Sequence, residues 1–343
     1  KVISTHQELV TLMKALLNRL IAHESLNKEE AKQVLIEISE GKYDSHQVAS
    51  FMTIFMMRSI TVDELAGFQE ALQSLCIAVD VSDFDPIDLC GTGGDQKDTF
   101  NISTLASFVT AGAGIPVAKH GNYGVSSSCG SSNVMEHLGI TFTNDASVHQ
   151  RCLEKAGICI FHAPLFHPAM KAVAPIRRAL GVKTFFNMLG PLVNPGMVKK
   201  QMVGVFNLEL ARLYAYRFQQ TQVQYGIVHA LDGYDEVSLT SKAKLISPQG
   251  ERLIDASHFG FERLHPDTIK GGSDVSASAE IFMNVLEGKG TDEQHQVVLA
   301  NAALAIAVAQ SSSIDLALEK AKDSLFNQKG LQAFNTLKTV SAS

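Results

Sequence analysis

A short apolar run, Ile87 to Cys90, enters the loop Gly91-Thr92-Gly93-Gly94-Asp95 and is followed by a helical stretch from about Thr104 to Ala113. A strand that feeds a glycine turn and then a helix narrows the fold sharply, because strands alternating with helices build a mainly parallel sheet covered on both faces. The alternation continues. Val117-Ala118 reads as a short strand, Ser132 to Leu138 as a helix stopped at Gly139, and Ile158 to Phe161 as another strand. Pro168 suits the first turn of a helix running towards Leu180, with Gly181 to end it. Met202 to Phe206 and Tyr225 to Ala230 read as buried strands separated by a helix over Glu209 to Gln220. From Ser278 the tail is helical, with Val297 to Ala309 buried.

The first ~80 residues carry only helix signals. Asn27 with Glu30, and Thr61 with Glu64, have capping-box spacing, in which the first side chain takes an orphan N–H of the helix and the acid returns the bond. Gly41 is a stop signal. Val48, Phe51, Met52, Phe55 and Met56 recur at helical spacing, an apolar stripe that marks core or a subunit interface. The expected organisation is a small helical domain over residues 1–80, joined by a segment near 165–200, and a large α/β domain over 81–343.

Composition removes several classes. With 343 residues, 45% of them hydrophobic and 19% charged, the chain can bury a sizeable core and is neither disordered nor fibrous. A net charge of -6 and a pI near 6.1 speak against a dedicated nucleic-acid binder. No apolar run approaches the ~20 residues of a bilayer span, so no membrane segment is expected. Residues 1–20 read as an amphipathic helix and not a secretory signal; starting at Lys1 without an initiator methionine, the chain reads as trimmed. The cysteines, at 76, 90, 129, 152 and 159, form no C-x-x-C pair and fit reduced thiols in a cytoplasm.

The Gly91 to Asp95 loop, with Asn101-Ile102-Ser103-Thr104 opening the next helix, has the makings of an anion site. Glycines lack a Cβ, so backbone N–H groups can converge on a phosphate, and the helix N-terminus adds its positive end. The loop is not the dinucleotide fingerprint, since no third glycine follows at Gln96, nor a Walker A loop, since no Gly-Lys-Ser/Thr ends it. Asn101, Ser103 and Thr104 add groups suited to phosphate oxygens or a hydrated metal, although helix capping would account for one of the three. Lys119-His120-Gly121-Asn122 follows a strand and falls at the carboxyl edge of the sheet, where open α/β sheets bind ligands. Lys119 is expected there as a mobile cation for phosphate. Gly124 with Ser126, Ser127, Ser128 and Ser131 extends that edge, either as a second phosphate loop or as a solvated turn.

Asp235-Glu236 lies in a glycine-containing loop beyond Ala230. Neighbouring carboxylates repel each other unless they are solvated or held by a cation, and opposite a phosphate loop Mg2+ suits them, since it typically takes one or two carboxylates plus phosphate oxygens and waters. His120 is a candidate general base. His162 and His167 flank Pro164, but no third ligand has sensible metal spacing. Arg177 and Arg178, after Pro175, read as salt-bridged surface residues unless a ligand claims one of them.

These segments, in this order, resemble the anthranilate phosphoribosyltransferase family over nearly the whole chain. The resemblance rests on GTGGD with NIST, on KHGN, on His167-Pro168-Ala169-Met170 through Arg177-Arg178 to Phe186-Asn187-Met188-Leu189-Gly190-Pro191-Leu192 and Asn194-Pro195, and on Asp232-Gly233-Tyr234-Asp235-Glu236-Val237. It implies a mainly parallel mixed sheet flanked by helices, a smaller all-helical domain, an active site in the interdomain cleft and a cytoplasmic homodimer formed through the helical domain. It also implies the reaction. The 5-phosphoribosyl group passes from phosphoribosyl pyrophosphate to the amine of anthranilate with release of pyrophosphate, the second step of tryptophan synthesis from chorismate, with Mg2+ as cofactor and no nucleic-acid or membrane partner.

On the matching positions, the resemblance assigns the donor to Gly91, Gly94, Asp95, Thr99, Asn101, Ile102, Ser103, Thr104, Lys119, His120, Gly121, Asn122, Ser126, Ser127 and Ser131. Anthranilate falls to Gly91, Asn122 and Arg177, and the metal to Ser103, Asp235 and Glu236. No covalent nucleophile is required, and the aromatic amine is already neutral at pH 7, so a base such as His120 is useful only late. Pyrimidine nucleoside phosphorylases share the architecture, but the acidic pair and the FNMLGPL segment favour the transferase. A nucleic-acid-binding relative would show a basic groove and degraded loops.

Three positions depart from the family's usual pattern. Tyr123 stands where an Arg follows KHGN, Ser128 where a Lys is common, and Asn133 where an Asp is usual. The first two changes remove positive charge near the expected pyrophosphate, so the donor should bind more weakly, or depend more on Mg2+, than in relatives. Tyr123→Arg combined with Ser128→Lys is expected to lower the donor KM in steady-state assays; an unchanged KM would count against this reading.

Overall fold

The computed structural model describes residues 2–124 and 129–342, so the expectations for Ser126, Ser127 and Ser128 lie outside the described residues. The chain divides into two compact units, Lys1–Ala78 with Pro164–Val193, and Val79–Ala163 with Asn194–Ser343.

The first unit is helical. Helices Val2–Ile21, Lys28–Ser39, Ser45–Met57 and Val62–Ser74 are joined by short turns, and Pro168–Leu180 and Phe186–Leu189 come from the second segment. Both capping boxes form, Asn27 with Glu30 and Thr61 with Glu64, which satisfies helix-end N–H groups locally. Val48, Phe51, Met52 and Phe55 are buried as the stripe requires, whereas Met56, on its flank, is exposed. Phe51, Phe55, Phe68 and Phe185 pack together, with Phe68 and Phe185 stacked at 4.6 Å and Phe51 edge-on to Phe185 at 6.0 Å. Phe185 arrives from the second segment, which is therefore core and not a linker. Glu64, fully buried, accepts from Arg58 Nη2 at 2.5 Å and from the N–H groups of Leu26 and Thr61 at 2.9 Å each. Burial pushes its carboxyl up, but Arg58 and these N–H groups together hold it below the ordinary range.

The second unit carries a seven-stranded sheet. β1 (Ile87–Gly91), β2 (Val117–Gly121), β3 (Ile158–His162), β4 (Lys200–Gly204), β5 (Gln224–Ala230), β6 (Ala243–Ser247) and β7 (Gly250–Ile254) lie in the order β3-β2-β1-β4-β5-β6-β7. The first five in that order are parallel, and β6 and β7 add an antiparallel hairpin. That hairpin and the helix Ala146–Ala156 are additions to the sequence reading. From β1 the chain steps outward to β2 and β3, then returns to β4 on the other side of β1, so the strand order reverses between β1 and β4. Their register pairs Ile87 with Lys200 and Gly91 with Gly204, which brings both carboxyl ends to one level and opens the crevice where such sheets bind ligands. The helix after β1, Ile102–Gly112, is anchored by Phe108 against Phe282 and Phe334. Among the described residues no single helix is long and apolar enough to cross a membrane.

Phe185→Ala is expected to lower the stability of the helical unit by about 3–5 kcal/mol, the usual result of emptying an aromatic core position. Denaturant titration should show an earlier transition, and an unmoved midpoint would mean that the 164–193 segment is not part of that core.

Candidate active site

The glycine loop leaves β1 and meets an acidic loop that follows β5. Gly93 and Gly94 have φ of +63° and +78°, the left-handed region that glycine enters without strain. The Gly93 N–H donates to Asp235 Oδ2 at 2.8 Å, and the Thr92 N–H to the Gly204 carbonyl at 2.9 Å. A Cβ on Gly91 would stand 2.6 Å from Asp235 Oδ2, and one on Gly204 1.5 Å from the Asp235 carbonyl oxygen. The bare backbone at 91 and 204, expected only to admit a phosphate at the first, thus makes room for the acidic loop itself. Gly204 has no signal in the sequence beyond its place in the middle of the apolar run Met202 to Phe206.

The second carboxylate caps a helix. Asn101, the residue before Ile102–Gly112, makes no side-chain cap; instead Glu236 Oε1 accepts the Ser103 N–H at 2.9 Å, at the positive end of that helix. Asp235 is buried and Glu236 half-buried. Burial, then the charge of Asp95, pushes Asp235 up to about 7; burial, then Asp235 and Asp95, pushes Glu236 well above the carboxylate range. Three carboxyl groups held this close favour either protonation or a cation. Among the described residues no three His, Cys, Asp or Glu side chains converge as a ready-made metal cage. Thr99 is stitched by its backbone to Lys270, which ties the loop between β1 and its helix to the 269–271 segment.

The KHGN segment ends β2, beside β1. Lys119 is 3% exposed, and its ammonium donates to the Leu89 carbonyl at 2.6 Å. It is therefore not the mobile cation expected from the sequence, because the sheet buries its stem and a strand carbonyl fixes its head; its charge still acts on Glu236 and on Asp88. Asp88, buried in the middle of β1, accepts the His120 N–H at 3.0 Å, and Asn194 donates to the Ala118 carbonyl at 2.8 Å. Asp88 lies inside an apolar stretch of sequence and is not signalled there, and Asn194, named only as part of a motif, gains this contact from the structure. Burial pushes the Asp88 carboxyl up to about 6, against the opposing pull of Asn194, Lys119 and the His120 N–H.

Beyond β2, Gly121 packs where a Cβ would lie 2.6 Å from Ser131 Oγ. The Asn122 carbonyl accepts from Ser132 N at 3.1 Å and from Ser131 Oγ at 3.3 Å. Asn133 Oδ1 accepts the N–H groups of both Gly124 and Gly130 at 3.0 Å each, which ties those two residues together. Tyr123 sits edge-on to His162 at 4.6 Å with its hydroxyl 3.3 Å from both Glu136 oxygens, and His162 Nδ1 bonds Ser132 Oγ at 2.8 Å.

Arg177 belongs to the helical unit, in helix Pro168–Leu180. Its guanidinium lies 5.4 Å from the centre of the Phe186 ring and 3.5 Å from Asn187 Oδ1. Burial lowers its pKa from the ordinary value, and no carboxylate among the described residues pairs with it, so it is not a salt-bridged surface arginine. Arg178 is exposed.

Asp88 sets a pH dependence. Folding raises its pKa, so between about 4 and about 6 the native state holds a proton that the unfolded chain has lost, and stability falls as pH rises through that window. The loss is on the order of 3 kcal/mol, levelling off above it. Asp88→Asn is expected to flatten this part of the stability–pH curve, measured by denaturant unfolding of the α/β unit at pH 4, 5, 6 and 7. An unchanged slope would place the titration elsewhere.

Comparison with known proteins bears directly on this arrangement. Residues 84–330 match the glycosyl transferase family a/b domain, and residues 14–76 the glycosyl transferase family helical bundle domain. An anthranilate phosphoribosyltransferase of Flavobacterium johnsoniae is 60% identical over 96% of this chain and 100% of its own length. Among solved structures, the anthranilate phosphoribosyltransferase of Thermus thermophilus superposes with a TM-score of 0.90 at 28% identity, over 95% of this chain and 99% of the other. The Saccharomyces cerevisiae enzyme, solved in complex with PRPP and Mg, gives a TM-score of 0.90 at 25% identity, over 97% and 98% of the two chains. With a phosphate-type loop, a helix N-terminus and an acidic pair gathered at the strand-order reversal, and with relatives matched over nearly its whole length, the chain belongs to the glycosyl transferase family and, within it, to the anthranilate phosphoribosyltransferases.

Proposed function

We propose that the glycine loop, the KHGN segment and Asp235-Glu236 bind phosphoribosyl pyrophosphate with Mg2+, and that Arg177 takes the carboxylate of anthranilate. The reaction is transfer of the 5-phosphoribosyl group to the anthranilate amine with release of pyrophosphate. The observation that carries this reading is the meeting of the helix N-terminus at Ser103 with the carboxylates of Asp235 and Glu236 at the carboxyl ends of β1 and β4. The yeast relative solved with PRPP and Mg supports both the donor and the ion.

The donor set fits Mg2+, because it offers hard carboxylate oxygens and a serine hydroxyl and leaves other positions to substrate phosphate and water. Asp235, Glu236 and Ser103 would hold it. When bound, Mg2+ supplies positive charge to the departing pyrophosphate. The remaining work belongs to the chain. As the C1–O bond breaks, C1 of the ribose becomes cation-like and charge gathers on the leaving group, so the positive end of the helix opening at Ile102 stabilises that charge, while the N–H groups of Thr92, Gly93 and Ser103 hold the loop and the acidic pair in place. Lys119 offsets the carboxylates from beneath. The guanidinium of Arg177, which pairs with no carboxylate among the described residues, presents paired donors to a planar anion and orients the amine for attack. For Asn122, the Gly91 backbone and the remaining donor contacts, the proposal follows the positions assigned from the sequence. The chain works as a cytoplasmic homodimer; Leu12, Ile21 and Met57, exposed on helices Val2–Ile21 and Ser45–Met57, support pairing through the helical unit.

Loss of anthranilate fluorescence that requires both phosphoribosyl pyrophosphate and Mg2+, with pyrophosphate appearing in step, is the expected outcome. Arg177→Ala should raise the anthranilate KM by roughly 10–100-fold with a smaller change in the donor KM, the size of a lost charge-assisted pair. Asp235→Ala should mainly lower kcat and raise the Mg2+ requirement. An Arg177→Ala enzyme with unchanged anthranilate KM would remove that assignment.

A further inference from the structure

We propose that Asn301 is a positioning residue for Glu236, an inference that rests on the reading in which Glu236 serves the metal accompanying pyrophosphate. Asn301 lies in helix Asp292–Gln310, where every residue from Val297 to Ile306 is buried and Asn301 is the one polar side chain among them. A buried amide is costly unless its hydrogen bonds are made. Here they are made on the residue that follows Glu236. The Val237 N–H donates to Asn301 Oδ1 at 3.1 Å, and Asn301 Nδ2 donates back to the Val237 carbonyl at 2.9 Å. The second Nδ2 hydrogen goes to the Val297 carbonyl of its own helix at 2.8 Å, which sets the plane of the amide.

The two-point grip works as a rung of β-ladder supplied by a side chain. The Val237 nitrogen belongs to the peptide that joins 236 to 237, so fixing it fixes the backbone on the far side of Glu236. On the near side, Asp235 is packed so tightly over Gly204 that no Cβ fits there. Glu236 is bracketed between these two constraints, and its carboxylate reaches the Ser103 N–H at 2.9 Å. The base of the loop is closed separately, by Thr240 Oγ1 donating to Asp232 Oδ2 at 2.5 Å and by the Leu231 N–H donating to the Lys242 carbonyl at 2.8 Å. Losing Asn301 should therefore free the 236–237 peptide without opening the whole loop.

The test uses Mn2+ with inorganic pyrophosphate, followed by the paramagnetic signal of free Mn2+, on the full chain and on Asn301→Ala and Asn301→Asp. Asn301→Asp keeps the shape and the acceptor for the Val237 N–H but loses both donors, and it decides the matter if the alanine variant does not fold. The expected result is a half-saturating Mn2+ concentration raised about 10–100-fold, as for residues that orient metal ligands from behind. Hydrogen exchange at the 236–237 peptide should rise, with the anthranilate KM unchanged. A folded variant that binds Mn2+ as the parent does overturns the proposal. A parent chain that binds no Mn2+ with pyrophosphate overturns the metal reading of Glu236 and the proposal with it, an outcome distinct from the first because it appears before any substitution is made.

Discussion

The site depends on how two neighbouring carboxylates, one buried and one half-buried, are held at the ends of parallel strands. Asp235 and Glu236 repel each other, and each is offered a backbone N–H in return, from Gly93 at 2.8 Å and from Ser103 at 2.9 Å. Neither donor lies near them in sequence. Both belong to the loop and helix after β1, so the acidic loop after β5 can be placed only once β4 has paired with β1 and Gly204 has come level with Gly91. The register of one strand pair thus fixes the distance between glycine loop and acidic pair, and the bare backbone at 91 and 204 is what lets them meet.

A second polar layer supports the first from inside the sheet. Asp88 in β1 holds the backbone of His120 at the end of β2, while Asn194 holds Ala118 and Lys119 holds Leu89. The Asp88 and Lys119 cross-links between β1 and β2 resist sliding, since a shift of one residue would leave a buried carboxyl and a buried ammonium without partners. Such a network contributes little net stability on its own. Its effect is to hold the ends of β1 and β2 in one geometry.

Much of the fold could be read from the sequence because its signals are local. The capping boxes at Asn27 and Thr61, the helix opened by Pro168 and closed at Gly181, and the five parallel strands all follow from spacing within a few residues. The β6–β7 hairpin was missed because Gly250 to Leu253 are exposed, so β7 lacks the alternation of a half-buried strand. The motif residues of the site were legible, but their mechanics were not. Lys119 reads as a surface cation until the sheet is seen to bury it, Asp88 is hidden in an apolar run, and Asn301 is one polar letter in an alanine-rich helix. Each owes its role to a partner 30 or more residues away, as with Lys119 and Leu89 or Val237 and Asn301. Such pairings leave no periodicity behind.

The charge balance around this site bears on how the proposed reaction is driven. Burial raises Asp88; burial, then Asp95, raises Asp235; and burial, then Asp235 and Asp95, raises Glu236, while Lys119 is committed to a strand carbonyl and Lys97 lies over the Tyr234 ring at 4.9 Å. On the loop after β2, position 123 is a tyrosine turned towards Glu136, and position 133 an asparagine occupied with backbone N–H groups. Neither brings positive charge to the leaving group. On the proposed reading, a cation held by Asp235, Glu236 and Ser103 would relieve the repulsion within the acidic pair and would supply the countercharge that the loop after β2 lacks.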